Sequence, residues 1–263
     1  MARSRVPAIE RLVSLLPEYS REELLALILC GDARFDGETV RDPRQDVRPD
    51  AEVSFRNQEF VSRGGIKLDH ALGVWGVDVA GKVFLDAGSS TGGFTEALLL
   101  RGAAGVHAVD VGYNQLDYIL RTDSRVIVHE RTNIMDVTAL EPEPEAAVAD
   151  LSFRSLFGAA SHILGLTSGR WAVLLLKPQF EWTNPPTEFD GTVPDARASE
   201  IVVATVERLA EESVFAHDCI ESPIRGRAGN REFLLLVRSQ RGSVAPREVV
   251  AAALSKGTDR YTS

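Results

Sequence analysis

Strand-like and helix-like segments alternate along most of this chain, and that alternation limits the folds open to it. Short apolar runs are separated by amphipathic segments of roughly ten residues, the pattern of strands joined by helical crossovers. We predict strands at 83–86, 106–109, 126–130, 146–150, 171–177, 214–220 and 232–238, and helices at 66–75, 95–101, 114–121, 156–164 and 198–212. Strands joined in this way lie parallel, with helices on both faces of the sheet. The sequence therefore predicts an α/β fold with a seven-stranded, mostly parallel sheet.

The N-terminal part of the chain has a different pattern. Two short helices are predicted at 9–16 and 20–30, followed by strands at 33–35, 39–40 and 52–55. The turn Asp36-Gly37 between the first two strands is typical of a β-hairpin. We therefore predict a small α+β domain at residues 1–56, a linker at 57–65 and the larger domain at 66–263.

Composition excludes several classes of protein. The longest apolar run, Leu24–Cys30, is far shorter than the roughly 20 residues that span a membrane. The first residues have no apolar core of the kind found in signal peptides, and Cys30 and Cys219 fit a reducing compartment and no metal-ligand spacing. These features predict a cytoplasmic protein without a membrane span or a bound metal.

The distribution of basic residues is unusual. Of 29 basic residues, only four are lysines, at positions 67, 82, 177 and 256. A lysine can be deprotonated in a protein, whereas an arginine cannot. Composition bias explains the many arginines, but a lysine at the end of an apolar strand, as at Lys177, can have a chemical role. The alternative is a strand-end lysine whose amine reaches solvent.

A glycine-rich loop follows the first strand of the larger domain and leads into a helix. Such a loop lets the backbone approach a ligand closely, and the N-terminus of the helix favours electronegative groups. An ordinary glycine-rich turn is the alternative. The candidate cofactor residues of this segment are Asp86, Gly88, Ser89, Ser90, Thr91, Gly92, Gly93 and Phe94.

The second strand supports a nucleotide ligand. It leads into Asp110, 22 residues after Gly88, which is close to the spacing of about 20 residues at which a carboxylate binds ribose hydroxyls. The dinucleotide fingerprint G-x-G-x-x-G is not met, because Ser90 stands where its second glycine would approach a pyrophosphate. This difference favours S-adenosylmethionine, which has no phosphates, over NAD.

Several motifs together resemble the TlyA/hemolysin A family, ribosomal RNA 2′-O-methyltransferases with an FtsJ-like catalytic domain. They are V-S-R-G-G-I-K-L at 61–68, D-A-G-S-S-T-G-G-F at 86–94, V-D-V-G-Y at 109–113, E-R-T-N at 130–133, D-L-S-F at 150–153 and K-P-Q-F-E at 177–181. Residues 20–40 resemble the S4-type RNA-binding domain of that family. The resemblance implies a Rossmann-like class I methyltransferase domain, S-adenosylmethionine as cofactor and ribosomal RNA, at a cytidine, as substrate.

The resemblance also implies a catalytic tetrad, matched here by Lys67, Asp150, Lys177 and Glu232. A ribose 2′-OH is a poor nucleophile that must lose its proton as the methyl group moves, and a positioned amine can accept that proton. A second cation nearby favours the neutral form of that amine. We expect Lys177 to be the base or to orient the 2′-OH, with Lys67 and Glu232 as its partners and Asp150 beside the methyl group. Without the resemblance, Glu232 would be interpreted as a surface residue of an edge strand.

The remaining site residues follow from the same resemblance. Asp110 and Val111 are expected at the cofactor ribose, and Asn133 and Ile134 at the adenine, although Asn133 is also a common turn residue. Candidate RNA-binding residues are Arg5, Arg21, Arg34 and Arg63.

Charge and one motif leave alternatives open. The net charge is −9, and residues 1–62 hold nine arginines against twelve acidic residues, so a basic RNA-binding footprint is weak. Asn184-Pro185-Pro186-Thr187 resembles an amino-methyltransferase motif. That motif follows the fourth strand and ends in an aromatic residue, whereas this segment follows the fifth strand and lacks the aromatic residue, so we interpret it as a turn.

The other functions considered are an inactive RNA-binding assembly factor and a hemolysin-like protein.

Overall fold

The alternation of strands and helices forms a single seven-stranded sheet in the computed structural model, which describes residues 5–17, 19–31, 33–55, 60–152, 154–226 and 228–257. The chain divides into two units, residues 1–58 and 59–263. The strands of the larger unit are β6 (Val83–Ala87), β7 (Gly105–Val109), β8 (Val126–His129), β9 (Ala146–Ala149), β10 (Trp171–Leu176), β11 (Phe215–Glu221) and β12 (Phe233–Arg238). Their order in the sheet is β11-β12-β10-β9-β6-β7-β8, and β12 runs in the direction opposite to the other six strands. The predicted fold class of this unit is confirmed.

Helices cover both faces of the sheet because successive strand residues point in opposite directions. Phe84 packs with one set of helices and Leu85 with the other, in two separate hydrophobic cores. The helices on the Phe84 face are α3 (Arg63–Trp75), α4 (Gly93–Leu100) and α5 (Tyr118–Thr122), and those on the Leu85 face are α6 (Ala159–Gly165), α8 (Asp195–Glu211) and α9 (Pro246–Gly257). A short helix, α7 (Pro178–Glu181), follows β10 directly. None of the helices in the described part of the chain combines the length and hydropathy needed to cross a membrane.

Several helix boundaries differ from the predictions. Helix α3 begins at Arg63, within the predicted linker, so residues 63–65 belong to the helix. Helix α5 begins after Asp117, whose side chain accepts a hydrogen bond from the N–H of Ile119, because Asn114 has a positive φ that a helix does not allow. Helices α7 and α9 were not predicted. Helix α7 is a single turn, and of the α9 side chains that the structure describes only Val249 and Val250 are buried, so neither gives a clear helical pattern of apolar residues.

The small unit contains the predicted hairpin. Its elements are β1 (Val6–Pro7), α1 (Ala8–Leu15), α2 (Arg21–Cys30), β2 (Ala33–Phe35), β3 (Glu38–Thr39), β4 (Asp46–Val47) and β5 (Val53–Phe55). Strand β2 pairs antiparallel with β3 across the turn at Asp36 and Gly37, both of which have positive φ. Strand β5 pairs with the other edge of β2, and β1 pairs with β4. Leu12, Leu24, Ile28 and Phe35 are among the buried residues of its core.

Candidate active site

The glycine-rich loop after β6 is shaped by the approach of two strand ends. Gly88 has a φ of 84°, and a Cβ atom at this position would lie 2.6 Å from the carbonyl oxygen of Asp150. The N–H of Gly88 donates a hydrogen bond to the carbonyl of Val109, at 2.8 Å. Only glycine allows this backbone conformation and this contact together. Gly88 therefore brings the ends of β6, β7 and β9 to one place.

A second glycine contact positions helix α3. A Cβ atom on Gly93, the first residue of α4, would lie 2.8 Å from the backbone nitrogen of Gly65 in α3. The two helices can cross at this distance only because Gly93 lacks a side chain, whereas the Cβ atom that Gly65 lacks would meet the ring of Phe60. The close crossing sets the position of α3, which carries Lys67.

Asp110 holds the loop from the neighbouring strand. Its carboxylate accepts hydrogen bonds from the N–H of Ser90, at 2.8 Å, and the N–H of Gly112, at 2.6 Å. A carboxylate has about four acceptor positions. Asp110 therefore fixes the loop and retains capacity to accept hydrogen bonds from the hydroxyls of a ligand.

A cavity of about 360 Å³ opens at this edge of the sheet. Seven predicted cofactor residues line it, namely Gly88, Ser90, Asp110, Val111, Asn133, Ile134 and Asp150. The other lining residues were not predicted, and they are Val109, Gln115, Thr132, Leu151, Ser152 and Arg154. Thr132, Leu151, Ser152 and Arg154 lie within four residues after the end of a predicted strand, so extending each predicted strand by a few residues could have found these four. Asn133 also has the turn role considered above, because its side chain accepts a hydrogen bond from the N–H of Met135.

The remaining predicted loop residues do not line this cavity. Gly93 and Phe94 are buried at the start of α4, and Gly92 lies against Leu116 and Leu120. Ser89 is buried, Thr91 accepts a hydrogen bond through its carbonyl from Asp117, and Asp86 is buried within β6. These residues shape the loop and the start of the helix.

The buried carboxyl group of Asp86 makes the stability of the larger unit dependent on pH. Its Oδ2 accepts a hydrogen bond from the hydroxyl of Thr95, at 2.6 Å, and burial raises the pKa of Asp86 to about 7. In the unfolded chain an aspartate ionises near pH 4. Between these values the folded protein holds a proton that the unfolded chain has released, so the free energy of unfolding falls as pH rises.

Asp86→Asn is expected to reduce the fall in the free energy of unfolding between pH 5 and pH 8 by about 3 kcal/mol, because asparagine does not titrate. Denaturant unfolding followed by tryptophan fluorescence measures this, since all three tryptophans lie in residues 59–263. The exposed Asp78→Asn variant should keep the pH dependence of the wild type. An unchanged pH dependence in Asp86→Asn would contradict the assignment.

Lys177 and Asp150 form an ion pair at the edge of the cavity. The Nζ atom of Lys177 lies 2.5 Å from Oδ1 of Asp150 and donates a hydrogen bond to Oγ of Ser152, at 3.2 Å. Lys177 directly follows β10 and Asp150 directly follows β9, and these two strands are parallel neighbours. An amine and a carboxylate thus meet at the carboxyl ends of two strands, where open α/β sheets bind ligands.

Lys67 and Glu232 form a second, more buried pair. Nζ of Lys67 lies 2.5 Å from Oε2 of Glu232, and the side chains are 9% and 4% exposed. Leu176 pairs with Phe233, so the same register places Glu232 across from Lys177. We expected Lys67 and Glu232 to be the partners of Lys177. In the structure these two residues form an ion pair with each other, and Lys177 forms one with Asp150, which follows the parallel neighbouring strand.

Sequence reasoning gave no role to Glu181, the last residue of the K-P-Q-F-E motif. Its buried carboxylate accepts hydrogen bonds from the hydroxyl of Ser155, at 2.6 Å, and the N–H of Leu156, at 2.7 Å. Burial raises the pKa of Glu181. Glu181 lies one helical turn after Lys177, so it anchors the segment that follows Asp150 to the helix that follows Lys177.

The predicted RNA-binding arginines have different surroundings. Arg21 pairs with Glu10 at 2.8 Å, Arg5 donates to the carbonyl of Asp46, and Arg34 is exposed on β2. Arg63 donates to the carbonyl of Arg225 in the larger unit.

The Asn-Pro-Pro segment is a turn, as interpreted from the sequence. The carbonyl of Pro186 accepts a hydrogen bond from the N–H of Phe189, at 3.0 Å. The segment after β9, which an amino-methyltransferase would use, contains Asp150 and Ser152 instead.

Comparison with known proteins agrees with this geometry. The model of the FtsJ-like methyltransferase family matches residues 60–239, which include all seven strands of the sheet. The 16S/23S rRNA (cytidine-2′-O)-methyltransferase TlyA of Mycobacterium tuberculosis is 40% identical over 84% of this chain and 85% of its own length. The chain belongs to the TlyA/hemolysin A family of FtsJ-like methyltransferases.

Other family members support this assignment. The 23S rRNA (cytidine-2′-O)-methyltransferase TlyA of Campylobacter jejuni is 33% identical over 72% of this chain and 78% of its own length. A hemolysin-like protein of known structure from Streptococcus thermophilus is 30% identical, with a TM-score of 0.66 and 98% coverage of both chains. The family resemblance predicted from the motifs is therefore confirmed.

Proposed function

We propose that this member of the TlyA/hemolysin A family transfers a methyl group from S-adenosylmethionine to the ribose 2′-OH of a cytidine in ribosomal RNA. The observation that carries the proposal is the Lys177–Asp150 ion pair beside a cavity large enough for a nucleoside. The names of the relatives from M. tuberculosis and C. jejuni, both cytidine-2′-O-methyltransferases, support the same reaction.

The residues of the cavity fit S-adenosylmethionine. Asp110 offers carboxylate oxygens for ribose hydroxyls, and Val111 and Ile134 offer apolar surface for an adenine. Because Gly88 has no side chain, the loop can lie directly against Asp150. Ser90 occupies the position at which a dinucleotide-binding loop has a glycine next to the pyrophosphate, and S-adenosylmethionine has no pyrophosphate. When bound, S-adenosylmethionine supplies an electrophilic methyl group.

Lys177 and Asp150 would then act on the ribose. We assign to Lys177 the orientation of the 2′-OH and the acceptance of its proton as the oxygen attacks the methyl group. Asp150 holds the Lys177 amine through the ion pair, and Ser152 provides a hydrogen bond to the same nitrogen. The Lys67–Glu232 pair is assigned a positioning role at the start of β12, opposite Lys177.

We assign RNA binding to the small unit, as an S4-like domain at residues 1–56. Its exposed Arg34, with Arg5 and Arg21, would contact phosphates. Since contacts with phosphates release counterions, we expect the affinity for RNA to fall as salt concentration rises. The net charge of −9 makes that affinity low. Cytoplasmic ribosomal subunits would be the natural substrate.

The proposed reaction can be tested with S-adenosylmethionine labelled in its methyl group. The protein is incubated with ribosomal subunits that lack the modification, and the extracted RNA is digested with alkali. A 2′-O-methyl group blocks alkaline cleavage of the adjacent linkage, because that cleavage requires a free 2′-OH. We expect the label in alkali-resistant dinucleotides whose 5′ nucleoside is cytidine.

Two results would contradict the proposed function. Label found only on bases would indicate a different acceptor atom. The absence of label on 16S and 23S rRNA, in subunits that a known cytidine-2′-O-methyltransferase modifies in parallel, would indicate that the chain does not catalyse this reaction.

A further inference from the structure

Arg154 places a guanidinium group on the rim of the cavity that also contains Asp150 and Ser152. Its side chain is exposed. Across the described part of the chain, that side chain has no salt bridge or hydrogen bond. Arg154 is therefore a cation at the candidate active site whose charge no described carboxylate balances.

The guanidinium of Arg131 at this edge of the sheet stacks on the ring of Tyr113, and Arg63 donates a hydrogen bond to the carbonyl of Arg225. Four other described basic side chains here are paired with carboxylates. These pairs are Lys177 with Asp150, Lys67 with Glu232, Arg225 with Asp195, and Arg231 with Glu221. The last two are bidentate, with both carboxylate oxygens engaged. A cation in such a pair must break its ion pair before it binds another anion, and this lowers its affinity for that anion. Arg154 has no ion pair with a described carboxylate to break.

The backbone that carries Arg154 is anchored on one side. Glu181 accepts hydrogen bonds from Ser155 and Leu156, the two residues that follow, and is only 5% exposed. A guanidinium on an anchored segment loses less conformational freedom on binding than one on a free loop.

We propose that Arg154 binds a phosphodiester group of the RNA next to the nucleotide that is methylated. This inference rests on the proposed function, because the ribose would then lie at the Lys177–Asp150 pair, and a phosphate is attached to the 3′ carbon beside the reacting 2′-OH. Arginine suits this role because its planar fork matches two oxygens of a phosphate. In a chain with a net charge of −9, one unbalanced cation contributes substantially to attraction for RNA.

The test is RNA binding by Arg154→Gln across a range of salt concentrations. The probe is in vitro transcribed 23S rRNA, with S-adenosylhomocysteine present, and its Kd is measured by filter binding. We expect Kd for RNA to rise about tenfold, and the slope of log K against log salt to become shallower by roughly 0.7, the value for one contact to single-stranded RNA. Because Arg154 also lies on the rim of the cofactor cavity, we expect calorimetry to show a much smaller change in the Kd for S-adenosylhomocysteine than in the Kd for RNA.

Arg238→Gln is the matched control. Arg238 is exposed at the end of β12, and it pairs in register with Trp171 at the opposite edge of the sheet from Lys177. This variant removes the same charge and should retain the affinity and salt dependence of the wild type more closely than Arg154→Gln. Arg154→Lys should retain the wild-type slope because it keeps the charge.

Two outcomes would overturn the inference. Affinity and slope equal to those of the wild type in Arg154→Gln would show that Arg154 does not contact phosphate. A Kd for S-adenosylhomocysteine raised as much as that for RNA would assign Arg154 to the cofactor carboxylate. Failure of the proposed function is distinguishable, since it is the absence of 2′-O-methylation by the wild-type protein, measured separately from binding.

Discussion

Lys177→Met is expected to lower kcat for rRNA methylation by about 10²–10⁴-fold, the range for removal of a general base or of a charge at a reacting atom. Methionine keeps the length of the side chain and removes the amine that lies 2.5 Å from Asp150. The cofactor cavity is lined by other residues. Calorimetry should therefore show a nearly unchanged Kd for S-adenosylhomocysteine, while single-turnover methylation of ribosomal subunits shows the loss.

Two further variants show whether the loss of activity in Lys177→Met is due to the loss of a base. Lys177→Arg keeps the positive charge but cannot be deprotonated, so we expect it to remain as inactive as the methionine variant. Lys82→Met is the matched control, because Lys82 precedes β6 at the opposite edge of the sheet and pairs with the partly exposed Glu145. Its kcat should stay within about twofold of the wild type, since exposed pairs contribute little. Recovery of most of the activity in Lys177→Arg would contradict the role of Lys177 as a base.

Lys177 is a sharper target than Lys67 because their surroundings differ. The Lys67–Glu232 pair is almost fully buried. Removing one member of such a pair leaves an uncompensated charge inside the protein and costs about 3–5 kcal/mol. A loss of activity in a Lys67 variant would thus combine unfolding with any effect on catalysis. The Lys177 side chain is also mostly buried, but the Asp150 carboxylate that a Lys177 variant leaves behind is 25% exposed and lines the cavity.

The sheet could be predicted from the sequence because each strand carries its own signal. Apolar runs such as Trp171–Leu176 are buried on both faces and are bounded by turns. Each such strand can therefore be recognised from its own residues, without knowledge of the rest of the fold. Helix ends were less accurate, because they depend on single contacts. The first turn of α3 lies against Gly93 of α4, and this contact joins segments far apart in sequence.

The candidate site shows the same division. Asp110 follows a predicted strand, and Asp150 and Lys177 are the last residues of two others, so topology alone gathers them at one edge of the sheet. The way the charged residues pair could not be predicted, because Lys177 has Asp150 beside it on the parallel neighbour β9 and Glu232 opposite it on β12, and only the side-chain geometry decides between them. Glu181 was missed for a related reason. Its role depends on hydrogen bonds to Ser155 and Leu156, which no local sequence pattern encodes.

Gly88→Ala is expected to weaken binding of S-adenosylhomocysteine at least tenfold and to lower the free energy of unfolding by roughly 2–4 kcal/mol. Two causes act together. The φ of 84° is unfavourable for alanine, and the new Cβ atom would lie 2.6 Å from the carbonyl oxygen of Asp150, which is backbone and cannot rotate away. The ends of β6 and β9 must separate to relieve this contact, which moves Asp150 relative to Ser90 and Asp110 across the cavity. Calorimetry measures the affinity, and unfolding followed by tryptophan fluorescence measures the stability of the larger unit.

Gly81→Ala separates the two causes in Gly88→Ala. Gly81 has a φ of 72°, but a Cβ atom there would meet nothing within 4 Å. This variant therefore carries the conformational cost, about 1–2 kcal/mol, without the contact. It should lose some stability and bind S-adenosylhomocysteine like the wild type. If Gly88→Ala bound the cofactor product as tightly as Gly81→Ala, the close approach of the loop to Asp150 would not determine the shape of the cavity. If it bound far more weakly, that approach would be what joins the glycine-rich loop to the catalytic edge of the sheet.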